Sequence, residues 1–407
     1  MSNKQTLIVI GNGMAGMRTI DELLKLSPDE YDITVFGAEA YCNYNRIMLS
    51  PVLAGDKTIA QIILHDFQWY QDKNISLHTS KEIIGIDPVH QTVTSDDGSQ
   101  ANYDKLILAT GSNPIILPLK GNDLEGVITF RDIDDVNIMI EAAKTYKKAV
   151  VIGGGLLGLE AANGLMVQGM DVTVVQRGSI LMNQQLDQAA SDLLQTELEQ
   201  KGLTFLVDYE TTEFIGQDRL EKVRFSNGIE IEADLVVMAV GIRPNITLAQ
   251  QSGIMCERGV LVDNTLKTHS KNIYAVGECV QYGDETFGLV APLFKQAKVC
   301  AAQLANVSGD TYQSTVTVTK LKVTGINLFS AGDFNGDEQS DILIYQDPSG
   351  HSYKKLVLKE NKIMGILLYG DISDGNWYFS LLGKKTDVSA MREDLIFGKQ
   401  KVNENLL

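Results

Sequence analysis

The apolar positions of this chain fall into two kinds of run that alternate along it. Residues 148–152 are a continuous apolar run rich in β-branched side chains, residues 156–168 carry apolar side chains at helical spacing, and residues 171–175 return to a strand-like run. A continuous apolar run predicts a buried strand and a 3.6-residue repeat predicts a helix, so residues 148–177 predict strand, helix, strand. Residues 6–36 repeat the unit. The same reading predicts a helix over 66–73, short strands over 75–77, 82–87, 92–95 and 101–103, and a buried strand over 106–114. It then predicts an amphipathic helix over 186–201, short strands through 204–231 and an apolar strand from 235. Residues 41–55 have no clean period and read equally as a loop against a ligand or as a surface connection. In the last stretch, strands over 341–346, 353–358 and 363–369, with turns at 347–350 and 359–362, predict an antiparallel meander followed by a helical tail.

Both strand-to-helix junctions carry glycine at the same spacing: Gly11, Gly13 and Gly16 in the first unit, Gly153, Gly155 and Gly158 in the second. G-x-G-x-x-G in this context has a physical task for each glycine: a tight turn, close backbone approach to a pyrophosphate, and close packing of helix on strand. The helix N-terminus then turns unpaired N–H groups toward phosphate. Three further apolar strands end in glycine, at Ala109-Thr110-Gly111, at Gly241 and at Gly277. Glu39, beyond the second strand of the first unit, is the best placed acid for a ribose hydroxyl. The fold class predicted is α/β, with two Rossmann-like dinucleotide-binding domains, one inserted in the other, and a C-terminal α+β domain with an antiparallel sheet. The expected boundaries are 1–116 with 242–310, then 117–241, then 311–407. Two dinucleotide folds predict a flavin and a nicotinamide, and hence hydride transfer.

Composition narrows the partners. With 35 basic and 52 acidic residues the formal charge is −17, which disfavours nucleic acid, whose phosphates need Lys and Arg. Cys42, Cys256, Cys279 and Cys300 form no C-x-x-C, and the five histidines have no ligand spacing, so no metal site and no internal disulfide relay is expected. The apolar run 7–10 stops at Gly11, too short for a signal peptide, and no stretch approaches a membrane span; a reducing cytoplasm is the default. Residues 333–337 look superficially like a calcium loop, but the glycine is misplaced and no Glu stands at the twelfth position.

Taken together, GNGMAGMR, VFGAE, NYNRIMLSPVLAG, LATGSNP, VITFRDIDD, GGGLLGLEAANGL and YAVGEC resemble the two-dinucleotide flavoprotein reductases of the ferredoxin and rubredoxin reductase class. They are most similar to the N-terminal flavin portion of the large subunit of assimilatory NAD(P)H nitrite reductases, over about residues 7–322. The resemblance implies FAD and NADH or NADPH as cofactors. It places Gly11, Gly13, Met14, Ala15, Gly16 and Glu39 on the ADP half of FAD, with the Ile83 backbone near the adenine. Asn45, Arg46 and Arg131 would lie by the flavin ring or phosphates. Ala109, Thr110, Gly111, Gly277, Glu278 and Pro292 complete that site, with Glu278 standing where the wider class has Asp. Gly153, Gly155, Leu156, Leu157, Gly158 and Gly241 would hold the nicotinamide dinucleotide. Glu160, beside the nicotinamide, and Arg46 are the candidate catalytic side chains. Two alternatives stay open: surface ion pairing for Arg46 and Arg131, and an exposed helix position for Glu160.

Where an enzyme dedicated to NADH usually has a carboxylate, the second strand of the second unit ends in Gln176-Arg177. Gln176 suits a ribose hydroxyl and Arg177 a 2′-phosphate, so both donors are expected to serve. The sequence ends at Leu407 without the iron–sulfur and sirohaem segments of full-length nitrite reductase large subunits. Electrons are therefore expected to leave to a separate acceptor: an iron–sulfur carrier, rubredoxin or ferredoxin, or a nitrate or nitrite reductase. A flavin-binding sensor or structural protein is the alternative from another class, and a homodimer is left open.

Overall fold

A computed structural model describes residues 4–402, except 308, 310, 315–317, 324, 348 and 350. Two five-stranded parallel sheets organise it. The first runs in the order Ile273–Ala275, Lys105–Leu108, Gln5–Ile10, Tyr31–Phe36, Ile75–His78. The second runs Thr204–Val207, Asp171–Gln176, Lys148–Ile152, Leu235–Met238, Val127–Thr129. Their central strands are apolar on both faces because helices cover both sides; Leu7, Ile8 and Val9 are all fully buried, as is Val151. The helices Met14–Leu26 and Leu156–Val167 follow the two central strands, as predicted. Val127–Thr129, the helix Ile133–Thr145 and the helix Val290–Leu304 were not legible in the hydrophobic pattern.

The buried strand expected over 106–114 is two strands. Lys105–Leu108 belongs to the first sheet, while Ser112–Pro114 pairs antiparallel with Ile242–Pro244. The break is at Gly111, whose φ of +68° turns the chain out of the sheet. Thr110 Oγ1 donates to the Asn245 carbonyl at 2.7 Å and locks the two crossings side by side. Residues 41–55 also acquire structure: a 3₁₀ turn at Arg46–Met48 runs straight into a short helix, Leu49–Leu53.

The predicted meander is part of a five-stranded antiparallel sheet, ordered Val318–Val323, Ile326–Gly332, Lys362–Tyr369, Tyr353–Lys359, Asp341–Gln346. The helix Gly375–Lys384 covers one face. Of the turn expected at 347–350, Pro348 and Gly350 lie outside the described residues. Asp337, in the stretch that looks like a calcium loop, pairs instead with Lys359 at 2.7 Å.

The other face of this sheet docks on the helix Gln188–Gln200 through polar contacts. Tyr353 OH and Lys355 Nζ both donate to Asp187 Oδ2, at 2.9 and 3.1 Å, and Tyr369 OH donates to Glu197 at 2.8 Å. Asp187 is also the N-cap of that helix, accepting from the Ala190 N–H at 3.1 Å. Asp187→Ala thus removes a cap and leaves Lys355, 8% exposed, without its counter-ion. The expected loss is about 3 kcal/mol or more, read by chemical denaturation; a loss under about 0.5 kcal/mol would mean that the dock does not hold the sheet.

Candidate functional site

The two glycine turns are built alike. Gly11 and Gly153 have φ of +113° and +115°, and a Cβ on either would lie 2.1 and 2.4 Å from the carbonyl oxygens of Ala109 and Ala239. A Cβ on Gly16 or Gly158 would lie 2.7 and 1.9 Å from the carbonyl oxygens of Gly11 and Gly153. These four glycines therefore pack backbone on backbone. The middle glycines differ in kind: an added Cβ on Gly13 or Gly155 meets no protein atom within 4 Å. Each is the N-cap of its helix with no side-chain hydrogen bond in place, so unpaired N–H groups face open space. The chemistry and the room both fit a pyrophosphate at each.

Both turns open onto one cavity of about 1690 Å³. Met14, Ala15, Glu39, Ile83 and the Ala109–Gly111 turn line it from the first sheet, with Gly277 and Glu278. Leu156, Leu157, Glu160, Gln176, Arg177 and Gly241 line it from the second. Four expected positions do not reach it. Gly16 and Gly158 sit behind their loops as packing glycines. Asn45 turns its side chain to accept from the Ile47 N–H at 3.2 Å, capping the 3₁₀ turn, and Pro292 gives way to its neighbours Leu289, Val290 and Leu293 on the wall.

A chain of polar contacts crosses the cavity. Glu39 accepts from Tyr44 OH and from Arg46 Nη2, both at 2.6 Å, and Arg46 Nη1 donates to the Arg131 carbonyl at 2.6 Å. The Arg131 guanidinium in turn pairs with Glu278, which also accepts from Ser112 Oγ at 2.7 Å. Arg46 and Arg131 are thus ion-pair partners, but partly buried on the cavity wall rather than at the surface. Asp135 seats the centre of this chain: its carboxylate accepts from the Arg131 N–H at 2.6 Å. Burial, reinforced by the charge of Asp132, pushes the Asp135 carboxyl up to about 6.

Glu160 is not the exposed helix residue that the sequence allowed. Burial raises its pKa, and the hydrogen bond from Ser50 Oγ, 2.6 Å away, opposes that rise. Gln176 is already engaged, its Oε1 accepting from the Gly154 N–H at 2.9 Å and its Nε2 donating to the Ile180 carbonyl at 3.2 Å. Arg177 beside it is exposed at the cavity mouth. Sequence reasoning missed Asn12, Ser50, Asp135 and Lys320, all on the wall. Asn12 lies inside the first glycine motif, and its side chain ties the loop from residue 41 by donating to the Tyr41 carbonyl at 3.3 Å. Cys42 is buried on the wall, and burial raises its thiol pKa; all four cysteines are unpaired.

Comparison with known proteins places this geometry. A family model described as pyridine nucleotide-disulphide oxidoreductase matches residues 5–303, and one described as the rubredoxin NAD+ reductase C-terminal domain matches 318–386. The chain is 51% identical over 386 residues to an NAD(P)H nitrite reductase of Bacillus subtilis, covering 95% of this chain and 48% of that protein. It is 44% identical over 394 residues to the assimilatory nitrate reductase electron transfer subunit of the same organism, covering 97% and 51%. The chain thus spans about half the length of these relatives. The crystal structure of NADH:rubredoxin oxidoreductase from Clostridium acetobutylicum superposes with a TM-score of 0.81 at 26% identity, over 95% of this chain and 97% of that one.

Asp135 carries a pH signature. With its pKa raised from 3.8 to about 6, the folded chain keeps a proton that the unfolded chain has lost, so stability falls as pH rises across that window. Asp135→Asn keeps an acceptor for the Arg131 N–H but has no charge to desolvate. It is expected to match wild type near pH 4 and to exceed it by on the order of 2 kcal/mol near pH 7. Denaturation curves at the two pH values check this; an unchanged pH slope would refute it.

Proposed function

The chain belongs to the pyridine nucleotide-disulphide oxidoreductase family, whose reductases use FAD and NAD(P)H, and from that membership we propose that it passes electrons from NAD(P)H through FAD to a separate acceptor protein. The observation that carries the reading is that two glycine cradles, one on each parallel sheet, open onto a single cavity. The division that goes with it is residues 1–116 with 242–310 for FAD, 117–241 for NAD(P)H and 311–407 facing the acceptor.

In this reading the N–H groups beyond Gly13 and Gly155 bind the two pyrophosphates. Glu39 takes a ribose hydroxyl of the FAD adenosine, and Arg46 and Arg131 orient the flavin end. Bound FAD supplies a ring that accepts a hydride and releases its electrons singly. Leu156 and Leu157 exclude water at the second loop, and Glu160 orients the nicotinamide. The protein's contribution is alignment of donor and acceptor to roughly 3–3.5 Å, with no protein nucleophile.

The acceptor class follows the relatives. Names of a nitrite reductase and of a nitrate reductase electron transfer subunit support a partner from assimilatory nitrate or nitrite reduction, or its iron–sulfur carrier. The C-terminal domain match over 318–386 favours rubredoxin or ferredoxin as a second reading. Four unpaired cysteines support a reducing cytoplasm as the setting.

Two measurements test this. The chain should bind FAD one to one and reduce ferricyanide with NADH, whereas nitrite turnover should need an added partner. Gly13→Val, whose Cβ meets no protein atom within 4 Å, should fold normally yet lose FAD because its side chain takes the pyrophosphate's place. Failure to bind FAD, or nitrite-dependent NADH oxidation by the purified chain alone, would sink the proposal. For donor choice, NADH and NADPH should differ in kcat/KM by no more than about tenfold, a gap of about 1.4 kcal/mol. Arg177→Ala should widen that gap in favour of NADH; a preference beyond about a hundredfold that the substitution leaves unchanged would show that Arg177 does not read the 2′-phosphate.

A further inference from the structure

Ser50 and Glu160 reach each other across the contact between the two nucleotide folds. On the helix Leu156–Val167 and its C-cap Gln168, positions 160, 164 and 168 stand four residues apart and share one face. All three touch the short helix Leu49–Leu53. Ser50 Oγ donates to Glu160 Oε2 at 2.6 Å, and Gln168 Nε2 donates to the Leu53 carbonyl at 2.7 Å. Between them Leu53 presses so closely on Gly164 that a Cβ there would lie 2.6 Å from Leu53 Cγ. Ser50 is 8% exposed and Leu53 fully buried. Both Ser50 and Glu160 nevertheless stand on the cavity wall.

We propose that Ser50 is a positioning residue for hydride transfer: its hydroxyl, seated by the Leu53–Gly164 contact, fixes the Glu160 carboxyl so that the remaining oxygen, Oε1, is presented to the nicotinamide end of the bound dinucleotide. The inference rests on the proposed function, which sets Glu160 beside the nicotinamide. A hydroxyl has one proton, and here Oε2 receives it. The hydrogen bond orients the carboxyl and favours its ionised form against burial. Arg46, Arg131, Asp135, Glu278 and Lys320 also face the cavity, but burial and Ser50 are the two influences on this carboxyl. Arg46 lies one helical turn before Ser50, so the segment 46–53 joins the polar chain at the flavin end to the carboxyl at the nicotinamide end.

The test compares wild type with Ser50→Ala, Ser50→Thr and Glu160→Gln. Flavin reduction by NADH is followed in single turnovers from about pH 5 to about pH 9. In the flavin-free chain, the infrared carbonyl stretch of protonated Glu160, identified by its loss in Glu160→Gln, is titrated over the same range. Ser50→Ala should retain FAD, slow flavin reduction about tenfold, as expected for one lost hydrogen bond to a charged group, and move the Glu160 titration up by about one pH unit. Ser50→Thr should restore both. If Ser50→Ala lowers only thermal stability, with rate and infrared midpoint within about twofold and about 0.3 pH units of wild type, the inference is overturned. Should Glu160→Gln reduce the flavin as wild type does, the placing of Glu160 fails and the inference with it. If Glu160→Gln is slow while Ser50→Ala is not, the inference alone fails.

Discussion

The structure depends on how closely two helices press onto the strands that precede them. At Gly16 and Gly158 the space for a Cβ is already held by the carbonyl oxygens of Gly11 and Gly153, and those turns lie on the carbonyls of Ala109 and Ala239. Backbone packed on backbone leaves no slack, so each helix N-terminus is aimed across the carboxyl end of its sheet. That is where parallel sheets hold ligands, since unpaired N–H groups and a strand-end crevice coincide there. Two such sites open on one cavity because the chain crosses between the sheets twice, at the paired strands Ser112–Pro114 and Ile242–Pro244.

Between the sheets, side chains add to the join that these paired strands make. Two ion pairs, Glu39–Arg46 and Arg131–Glu278, are linked across the cavity by the hydrogen bond from Arg46 Nη1 to the Arg131 carbonyl, so each partly buried charge is compensated by its own partner. Removing one member of the Arg131–Glu278 pair, 18% and 16% exposed, would leave the other uncompensated in a poorly solvated place, which costs more than the pair itself contributes. The short helix Leu49–Leu53 adds the complementary apolar contact, with Leu53 seated against Gly164. The same stretch thus carries charge at one end and a packed leucine at the other.

The C-terminal sheet is held by directional contacts as well. Lys355 and Tyr353 converge on one oxygen of Asp187, and Tyr369 meets Glu197 a few turns along the same helix. Buried polar pairs of this kind add orientation more than net stability. Here the orientation brings Thr319 and Lys320 to the cavity wall, so the third unit closes on the site that the other two form.

What the sequence determined by itself is everything whose cause is local. The glycine spacing in both units reports steric demands met within a few residues, and the apolar runs beside it report burial on both faces of a strand; hence the fold class, the two cradles and Glu39, Gly111 and Gly277 on the wall were all legible. Tertiary structure decided whatever depends on partners far along the chain. Ser50 meets Glu160 over 110 residues, and Lys355 meets Asp187 over 168. Residues 41–55 show no period because their order comes from what they touch: Asn12 donates to the Tyr41 carbonyl, and Leu53 fits Gly164. Asp135 is in the sequence one of three nearby aspartates, with Asp132 and Asp134, and only its place beneath the Arg131 N–H sets it apart. A local pattern records the forces within one element, while the energetics of a site come from desolvation and charge pairing between elements, which no single stretch contains.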